Sequence, residues 1–457
     1  MTAPVLVWLH RELRLADNPL FTRNAGRPLV VAYVLDDITP GAWRLGGAAR
    51  WWLHHSLERL AASLAAAGVP LVLRRGAAAT EIPGLAAEIG ANEVHAGETP
   101  EPWLRRAQAA IAATPGLTLT LHRSRLLFHP EEIRTGGGTP YGVFTPFSRT
   151  CLARGLPAAP EAAPTRLIAG PLIASDRLAD WRLLPARPNW AAGLRATWQP
   201  GEAGAEARLA AFIEGAVDRY AERRNLPAIE ATSRLSPHLA WGEISPARAW
   251  LAAAPVSGNG PGDKGMRGKG LGSWVNELLW REFAAHLLWH HPHMAEQPLR
   301  PIFARMPWRD DPAGLAAWQR GETGIGIVDA GMRELWTTGW MHNRVRMIAA
   351  SFLVKHLLIP WQTGEAWFWD TLVDADLATN AASWQWVAGS GADAAPYFRI
   401  FNPDLQAAKF DPDGTYTLRW AGAPRPPIID LAAGRARALA AFRDLGEPAG
   451  RLTENAA

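Results

Sequence analysis

The spacing of apolar residues changes once along this chain, and this change restricts the possible folds more than any other feature. In the first 125 or so residues, short apolar or β-branched runs alternate with helical stretches, and these runs lie at 5–9, 28–36, 69–74, 93–96 and 117–122. Strands that alternate with helices indicate a parallel sheet. From about residue 205 onward, apolar residues recur at three- and four-residue spacing, as in amphipathic helices. The sequence therefore predicts an α/β N-terminal domain, a parallel sheet with flanking helices, joined to an all-α domain.

The segment between these two patterns is rich in proline, glycine and alanine. Such a composition predicts a long ordered connector, here with one short helix near Pro146–Arg154. The predicted divisions are therefore 1–128 for the α/β domain, 129–204 for the interdomain linker and 205–457 for the helical domain. No G-x-G-x-x-G motif follows the first strand, so the sequence does not predict a phosphate site at that turn.

Charge and cysteine content narrow the class of protein. The net charge is +4, which permits an acidic partner such as nucleic acid but does not require one. The only cysteine, Cys151, excludes an intramolecular disulfide and fits a reducing compartment. We see neither a signal peptide nor an apolar run of membrane-spanning length. We therefore expect a cytoplasmic protein with no membrane partner, and a monomer, because nothing in the sequence marks an oligomer interface.

The chain holds 23 tryptophans against 5 tyrosines. A tryptophan-rich helical core explains this ratio, because an indole buries a large area. The alternative is that some of these rings stack on a flat ligand or carry electrons. Composition alone favours the core.

Two segments of the helical region combine hydroxyl, charged and aromatic side chains. Thr232, Ser233 and Ser236 precede a helical stretch, where hydroxyls cap a helix or, if an arginine joins them, bind an anion. In 273–283, the side chains at i, i+3 and i+7 share one helical face and Trp280 lies beside them; they are Trp274, Glu277 and Arg281. A solvated Glu–Arg pair is the plain alternative here.

Two later segments have the composition of a wall around a planar ligand. Helical spacing in 337–347 predicts that Trp340, Asn343 and Met347 share a face that could contact a heterocycle, although an isolated methionine is more often core filler. The segment 370–386 adds three polar residues, Asp374, Asp376 and Asn380. A buried carboxylate there needs a cation, and Arg346 is the natural partner; a capped turn is the alternative.

Two other segments carry weaker signals. The glycine-rich segment 257–272 contains three cations and is predicted to be a surface loop rather than a specific contact. His290, His291 and His293 lie beside Pro292 and are interpreted as a helix end, so no metal site is expected.

The motifs together resemble the photolyase–cryptochrome flavoprotein family. The resemblance begins at VWLHRELRLADNPL and continues through YGVFTPF, TSRLSPHLAWGEISP, NELLWREF, GMRELWTTGWMHNRVRM and DLATNAASWQW to KFD. It spans essentially the whole chain, and the motifs between residues 232 and 410 are long and dense. It implies an α/β domain and a helical domain that holds FAD.

The resemblance assigns two sets of residues to the cofactor. The phosphate and adenine side of FAD would be held by Tyr220, Thr232, Ser233, Leu235, Ser236 and Arg281. The rest of the wall would be Trp274, Glu277, Trp340, Asn343, Arg346, Asp374, Asp376 and Asn380. Asn380 occupies the position that faces flavin N5, and asparagine there favours repair over signalling.

The resemblance also implies a route for electrons into the flavin. Trp384 would lie nearest the flavin, Trp361 between, and Trp308 near the surface. Without the family match, these would be three ordinary core tryptophans.

The activity implied is repair of cyclobutane pyrimidine dimers in UV-damaged DNA by a carbon–carbon lyase, in which excited reduced FAD passes an electron to a flipped-out dimer. The catalytic residues implied are Glu277, Trp280, Asn343, Met347 and Asn380. The DNA contacts, besides Trp280 and Met347, would be Arg224, Arg344, Arg399 and Lys409. Relatives that repair (6–4) photoproducts usually carry a second histidine after Met-His and another where Met347 stands; here Asn343 follows His342, so both of those histidines are missing.

A second, light-harvesting chromophore is usual in this family. Methenyltetrahydrofolate is weakly favoured over a deazaflavin, and an empty site stays open. Two other functions also stay open: a cryptochrome-like blue-light photoreceptor and (6–4) photoproduct repair. A third alternative, a tryptophan-rich DNA-binding protein without cofactor, predicts a colourless protein.

Overall fold

The N-terminal part of the chain is a parallel sheet in the computed structural model, which describes residues 3–155, 157–252, 266–394 and 398–446. The strand order is β3-β2-β1-β4-β5, with β6 pairing beside the start of β2. The strands are β1 Val5–Leu9, β2 Pro28–Leu35, β3 Leu71–Arg75, β4 Glu93–Gly97, β5 Thr118–His122 and β6 Ile168–Ala169. The five predicted parallel strands are therefore confirmed.

Helices cover both faces of this sheet. Alternate residues of β1 enter different cores: Val5 and Leu9 join one, and Leu6 and Trp8 join the other. The flanking helices are α1 Pro19–Thr22, α2 Gly47–Ala66, α3 Ala78–Ile89 and α4 Pro102–Ala112.

After β6, the elements of the described residues are all helices, which confirms the second part of the predicted fold. The connector contributes α5 Phe144–Ala153 and α6 Ala192–Thr197. The helical domain contains α7 Glu202–Ala211, α8 Tyr220–Arg223, α9 Ser236–Ala240, α10 Pro246–Ala252, α11 Met266–His290, α12 Pro312–Arg320, α13 Gly326–Thr338, α14 Asn343–Ser351, α15 Trp361–Thr371, α16 Leu377–Ala388, α17 Pro403–Phe410, α18 Thr415–Trp420 and α19 Leu431–Asp444. The predicted basic loop 257–272 lies outside the described residues up to 265, and from 266 it belongs to α11.

The connector is divided between the two domains by what its side chains bury. Phe147 and Cys151 enter the core of the helical domain, whereas Leu167 and Trp181 enter the core of the sheet. The divisions at residues 128 and 204 stay a prediction.

Buried arginines join the loop after β1 to the helical domain. Nη1 of Arg11 donates to the carbonyl of Ala375 at 2.9 Å, and Nη1 of Arg14 donates to that of Gly242 at 3.0 Å. Both guanidinium groups are buried and their charge is met by backbone carbonyls. Within the described ranges, no helix combines the length and apolar character needed to cross a bilayer.

Candidate functional site

Helix α11 presents an indole and a carboxylate side by side. The carboxylate of Glu277 is half-buried and forms an ion pair with the guanidinium of Arg224. Trp280 is 36% exposed, one turn further on. Trp274, one turn earlier, is buried and donates Nε1 to the carbonyl of Ala249 at 3.3 Å. Trp280 is therefore accessible to a ligand, whereas Trp274 anchors the helix.

Arg281 and Glu282 attach α11 to the chain that precedes the connector. Nη1 of Arg281 donates to the carbonyl of Arg125 at 2.7 Å and to Oε1 of Glu282 at 3.2 Å. Oε2 of Glu282 accepts from the amides of Leu127 at 2.8 Å and Phe128 at 3.2 Å. Burial raises the pKa of Glu282 to about 7. Arg281, assigned above to the phosphate side, thus also holds backbone in place.

The prediction that Trp340, Asn343 and Met347 share one helical face is wrong. Helix α13 ends at Thr338, Gly339 takes a left-handed conformation with φ 69°, and α14 begins only at Asn343. The reason is local, since Gly339 stops one helix and the ring of His342 caps the next by accepting from the Arg344 amide at 3.2 Å. Trp340 therefore lies in the turn, whereas Asn343 is exposed and Met347 half-buried on α14.

The expected pairing of Arg346 with a buried carboxylate is present. Its Nη2 and Nη1 donate to the two oxygens of Asp374 at 2.8 and 3.2 Å, and its Nε donates to the Met341 carbonyl at 2.7 Å. Asp374 is 8% exposed, so this forked pair is nearly buried. Asp376 instead caps α16 by accepting from the Thr379 amide at 2.9 Å.

Asn380 is held in one orientation on α16. Its Nδ2 donates to the backbone carbonyl of Glu365 at 3.0 Å, which leaves Oδ1 as its acceptor for a ligand. The Glu365 side chain itself is fully buried, and burial raises its pKa well above the usual range. Burial therefore favours the uncharged form of this carboxyl group beside Asn380.

The hydroxyl segment before α9 meets the turn that contains Trp340. Ser236 is exposed and its Oγ accepts from Nε1 of Trp340 at 3.3 Å, whereas Ser233 and Leu235 are buried and Thr232 is half-buried. Sequence reasoning missed Arg234 in this segment, whose guanidinium carbon lies 4.9 Å from the centre of the Trp340 ring. The signal that could have identified Arg234 is its position in the sequence, as a single arginine between hydroxyl residues.

Positive charge concentrates around this turn. Burial and the charges of Arg234, Arg344 and Arg346 lower the pKa of His342 to about 3. Tyr220, in the wall near Trp274, is 6% exposed. An anionic ligand with a flat ring system fits this set, because cations lie beside indoles and an oriented amide. FAD, with a pyrophosphate and an isoalloxazine ring, has this chemistry, so the residues present fit it.

The three expected electron carriers differ in burial. Trp384 and Trp361 are 2% and 1% exposed, and Trp308 is half-buried. The ring of Trp384 contacts Phe368 and also Trp318, whose centroid is 6.2 Å away. Sequence reasoning missed Trp318, which nothing distinguished from the other core indoles.

The four candidate DNA-binding cations lie at two places. Arg344 and Lys409 both lie against the ring of Phe410, at 4.4 and 5.4 Å from its centre, and Arg224 pairs with Glu277. Arg399 instead lies 5.2 Å from the ring centre of Trp386, a half-buried residue that sequence reasoning did not single out. The repeated tryptophans around residue 385 were the available signal.

A cavity of about 480 Å³ lies between the two domains. The α/β domain contributes Trp43 and Trp103 as aromatic walls and two arginines of α4. The helical domain contributes Leu377, the first residue of the helix that carries Asn380. Its lining is Pro40, Trp43, Pro102, Trp103, Arg105, Arg106, Ala109, Pro292, His293, Ala295, Glu296 and Leu377.

Comparison with known proteins identifies relatives along the whole chain. Residues 5–165 match the family model of DNA photolyase, and residues 274–425 match that of the FAD binding domain of DNA photolyase. The chain is 47% identical over 433 residues to a deoxyribodipyrimidine photo-lyase of Agrobacterium fabrum, which covers 92% of this chain and 87% of that protein. It is 39% identical over 448 residues to a protein of the same name from Thermus thermophilus, covering 97% and 99%. The crystal structure of a bacterial class III photolyase from Agrobacterium tumefaciens superposes with a TM-score of 0.91 at 44% identity, over 98% of each chain.

Proposed function

This chain belongs to the DNA photolyase family, and we propose that it is a deoxyribodipyrimidine photo-lyase that uses light to repair cyclobutane pyrimidine dimers in DNA. The observation that carries the proposal is the pair on α11. An exposed indole, Trp280, stands beside the carboxylate of Glu277 in surroundings otherwise rich in arginine. A flat, anionic, hydrogen-bonding substrate matches this combination.

FAD supplies, when bound, fully reduced and excited by light, the electron that splits the dimer. Arg346 and Asp374 would hold the wall of its site, and Oδ1 of Asn380 would accept a hydrogen bond from it. Arg234 and the hydroxyls of Thr232, Ser233 and Ser236 would hold its phosphates. Trp308, Trp361 and Trp384 would conduct electrons inward to this site.

The substrate would be held by α11 and α14. Trp280 offers a ring face for stacking on the flipped-out dimer, Glu277 accepts a hydrogen bond from a pyrimidine edge, and Met347 contacts the rings. Dimers stack poorly within a duplex, so their extrusion costs less than that of normal bases. Arg224, Arg344, Arg399 and Lys409 would bind phosphates of the damaged strand.

His342 favours cyclobutane dimers over (6–4) photoproducts as the substrate. Its pKa of about 3 keeps the imidazole neutral at physiological pH, and its Nδ1 is already occupied as a helix cap. It is therefore unsuited to donate a proton to substrate. The neighbouring Met341 and Asn343 offer no acid in its place.

Illumination of the reduced protein with two synthetic substrates tests this proposal. We expect loss of a cyclobutane thymine dimer under blue light, none in the dark, and no change in a (6–4) oligonucleotide. Repair of the (6–4) lesion would reassign the substrate. Photoreduction of bound FAD without repair of either lesion would assign the protein to the photoreceptor class instead.

The cavity between the domains is our candidate site for the antenna, and we propose methenyltetrahydrofolate as its ligand. The indoles of Trp43 and Trp103 suit a flat pterin, and Arg105, Arg106 and His293 suit the glutamate carboxylates of a folate. The alternative place, the crevice where the sheet order reverses between β1 and β4, is filled by side chains. Glu12 is fully buried there and packs so closely on Gly97 that an added Cβ would lie 2.1 Å from its Oε1.

Titration with methenyltetrahydrofolate, followed by its absorbance, tests this site. We expect saturable binding to the wild type and loss of binding in Trp43→Ala, with FAD content unchanged. Equal binding by the variant, or displacement by a deazaflavin but not by folate, would contradict the assignment.

We further propose that the protein acts as a cytoplasmic monomer. Cys151 is unpaired and buried, and burial raises its pKa to about 12, so the thiol is protected from oxidation. Sedimentation of the FAD-loaded protein at micromolar concentration checks the monomer, and a dimer mass would refute it.

A further inference from the structure

We propose that Phe144, in the connector between the domains, is a positioning residue that fixes the plane of Trp280 for stacking on the substrate. This inference rests on the proposed function of Trp280. Phe144 lies in the YGVFTPF motif, outside the matched FAD-binding segment 274–425, and the sequence assigned it no role in the site.

The two rings form a close parallel stack. Their centroids are 3.7 Å apart and their planes differ by 6°. Phe283 adds an edge contact to Trp280, with centroids 5.9 Å apart and planes at 72°. Phe144 is 9% exposed whereas Trp280 is 36% exposed, so the stack covers one face of the indole and leaves the other side available.

Phe144 is itself held rigidly, because its segment is anchored to α11 at two other places. Before it, the amides of Leu127 and Phe128 donate to the buried carboxylate of Glu282. Closer to it, the amide of Tyr141 donates to Nε2 of His286 at 3.0 Å. Both acceptors lie on the same helix as Trp280. The chain from Leu127 to Phe144, the end of the α/β domain and the start of the connector, therefore forms a brace along α11, and Phe144 is its contact with the substrate-binding end.

An indole that is already held in its bound orientation loses less freedom when a ligand stacks on it. Immobilising a side chain upon association weakens binding by roughly 3- to 10-fold. Phe144 would remove this cost before the dimer arrives. Removal of the ring should therefore weaken dimer binding in the dark without removing FAD, since the rings that Phe144 contacts, Trp280 and Phe283, are not among the residues assigned to the cofactor wall.

The variant Phe144→Leu and the control Phe147→Leu separate positioning from packing. Phe147 lies on the same helix and is 1% exposed, but it contacts Phe283 and His286 rather than Trp280. We expect the Kd for a thymine-dimer oligonucleotide to rise about 3- to 10-fold in Phe144→Leu and to stay within about 2-fold in Phe147→Leu. Phe144→Tyr, which keeps the ring, should restore wild-type binding.

A double-mutant cycle with Trp280→Ala decides whether Phe144 acts through the indole. In the Trp280→Ala background, Phe144→Leu should change Kd by less than about 1.5-fold. An undiminished effect in that background, or equal effects of Phe144→Leu and Phe147→Leu, would overturn the proposal. The wild type serves as the reference: if it does not prefer dimer-containing over undamaged DNA, the proposed function fails, and this outcome is distinct from a failure of Phe144 alone.

Discussion

The substrate face is formed by Arg224, Glu277 and Trp280. It differs from the cavity between the domains in how far its side chains are already fixed by contacts with other residues. Both present indoles beside cations. On the substrate face, Arg224 is already paired and Trp280 is already stacked. In the cavity, Arg106 is exposed and the walls come from both domains. The substrate face is thus organised by one helix and its brace, whereas the cavity exists only when the domains are docked.

Breaking the buried pair of the FAD site should give the largest effect and should leave the cavity intact. Asp374→Ala leaves the half-buried guanidinium of Arg346 without its partner, which costs about 3 kcal/mol, the lower end of the range for buried pairs. We expect loss of bound FAD and of repair, measured by flavin absorbance and by urea unfolding, while folate still binds.

The matched control is Asp413→Asn, an exposed acid in a loop, which should retain FAD and stability. Retention of stoichiometric FAD in Asp374→Ala would show that Arg346 holds the site without its partner.

The attachment of Leu127 and Phe128, just before the connector, to α11 should show in the pH dependence of the free energy of unfolding. Because burial raises the pKa of Glu282 to about 7, the folded protein binds a proton that the unfolded chain releases near its ordinary pKa. The free energy of unfolding should therefore fall as pH rises from about 4.5 to 7, by up to about 3 kcal/mol from this group.

Glu282→Gln should remove that part of the slope, as measured by urea unfolding at a series of pH values. Glu58→Gln changes an exposed carboxylate and serves as the control. The prediction fails if the Glu282→Gln and wild-type curves remain parallel.

Removing the indole of the substrate face should affect DNA binding and not the cavity. Trp280→Ala should weaken dimer binding by about 5- to 150-fold, because stacking on a base contributes about 1–3 kcal/mol. Trp336→Ala is a strict control, since Trp336 is 57% exposed and also stacked, on Trp367, but lies outside the proposed face. Similar losses in both variants, measured by fluorescence anisotropy of a labelled dimer oligonucleotide, would exclude a specific role for Trp280.

The smallest effect is expected in the cavity. Arg106→Ala should weaken folate binding by roughly 1.4- to 5-fold, because an exposed ion pair contributes about 0.2–1 kcal/mol. Arg443→Ala, an exposed arginine of α19, should leave folate binding unchanged. A change in the Kd for dimer DNA in Arg106→Ala would show that the two regions are coupled.

The spacing of apolar residues was sufficient to predict the sheet but not the turn that contains Trp340. Strands β1 (5–9) and β2 (28–35) are apolar at every position, as is typical of strands buried on both faces, and they pair as expected. In 337–347, helical spacing alone predicted one continuous face, but Gly339 and the cap of His342 interrupt it. Three- and four-residue spacing does not reveal a break of one turn between two helices.

The candidate site was predicted in part because its polar residues have few possible partners. The buried carboxylate expected in the segment 370–386 needed a cation, and Arg346 was its natural partner. The contact between Arg346 and Asp374 confirms this pairing. Arg234 and Phe144 were missed for different reasons. Arg234 was overlooked among hydroxyls, whereas Phe144 is an ordinary apolar residue until α5 is placed against α11.

By itself the sequence determined the two domain types and the family, because periodicity and motifs are local properties of the chain; its assignment of residues to the cofactor stays a prediction. Only the tertiary structure decided that the start of the connector packs along α11, that Glu277 is paired with Arg224, and that the two domains enclose a cavity. These contacts join residues far apart in the chain, and their formation depends on how helices pack rather than on the spacing of residues within any one of them.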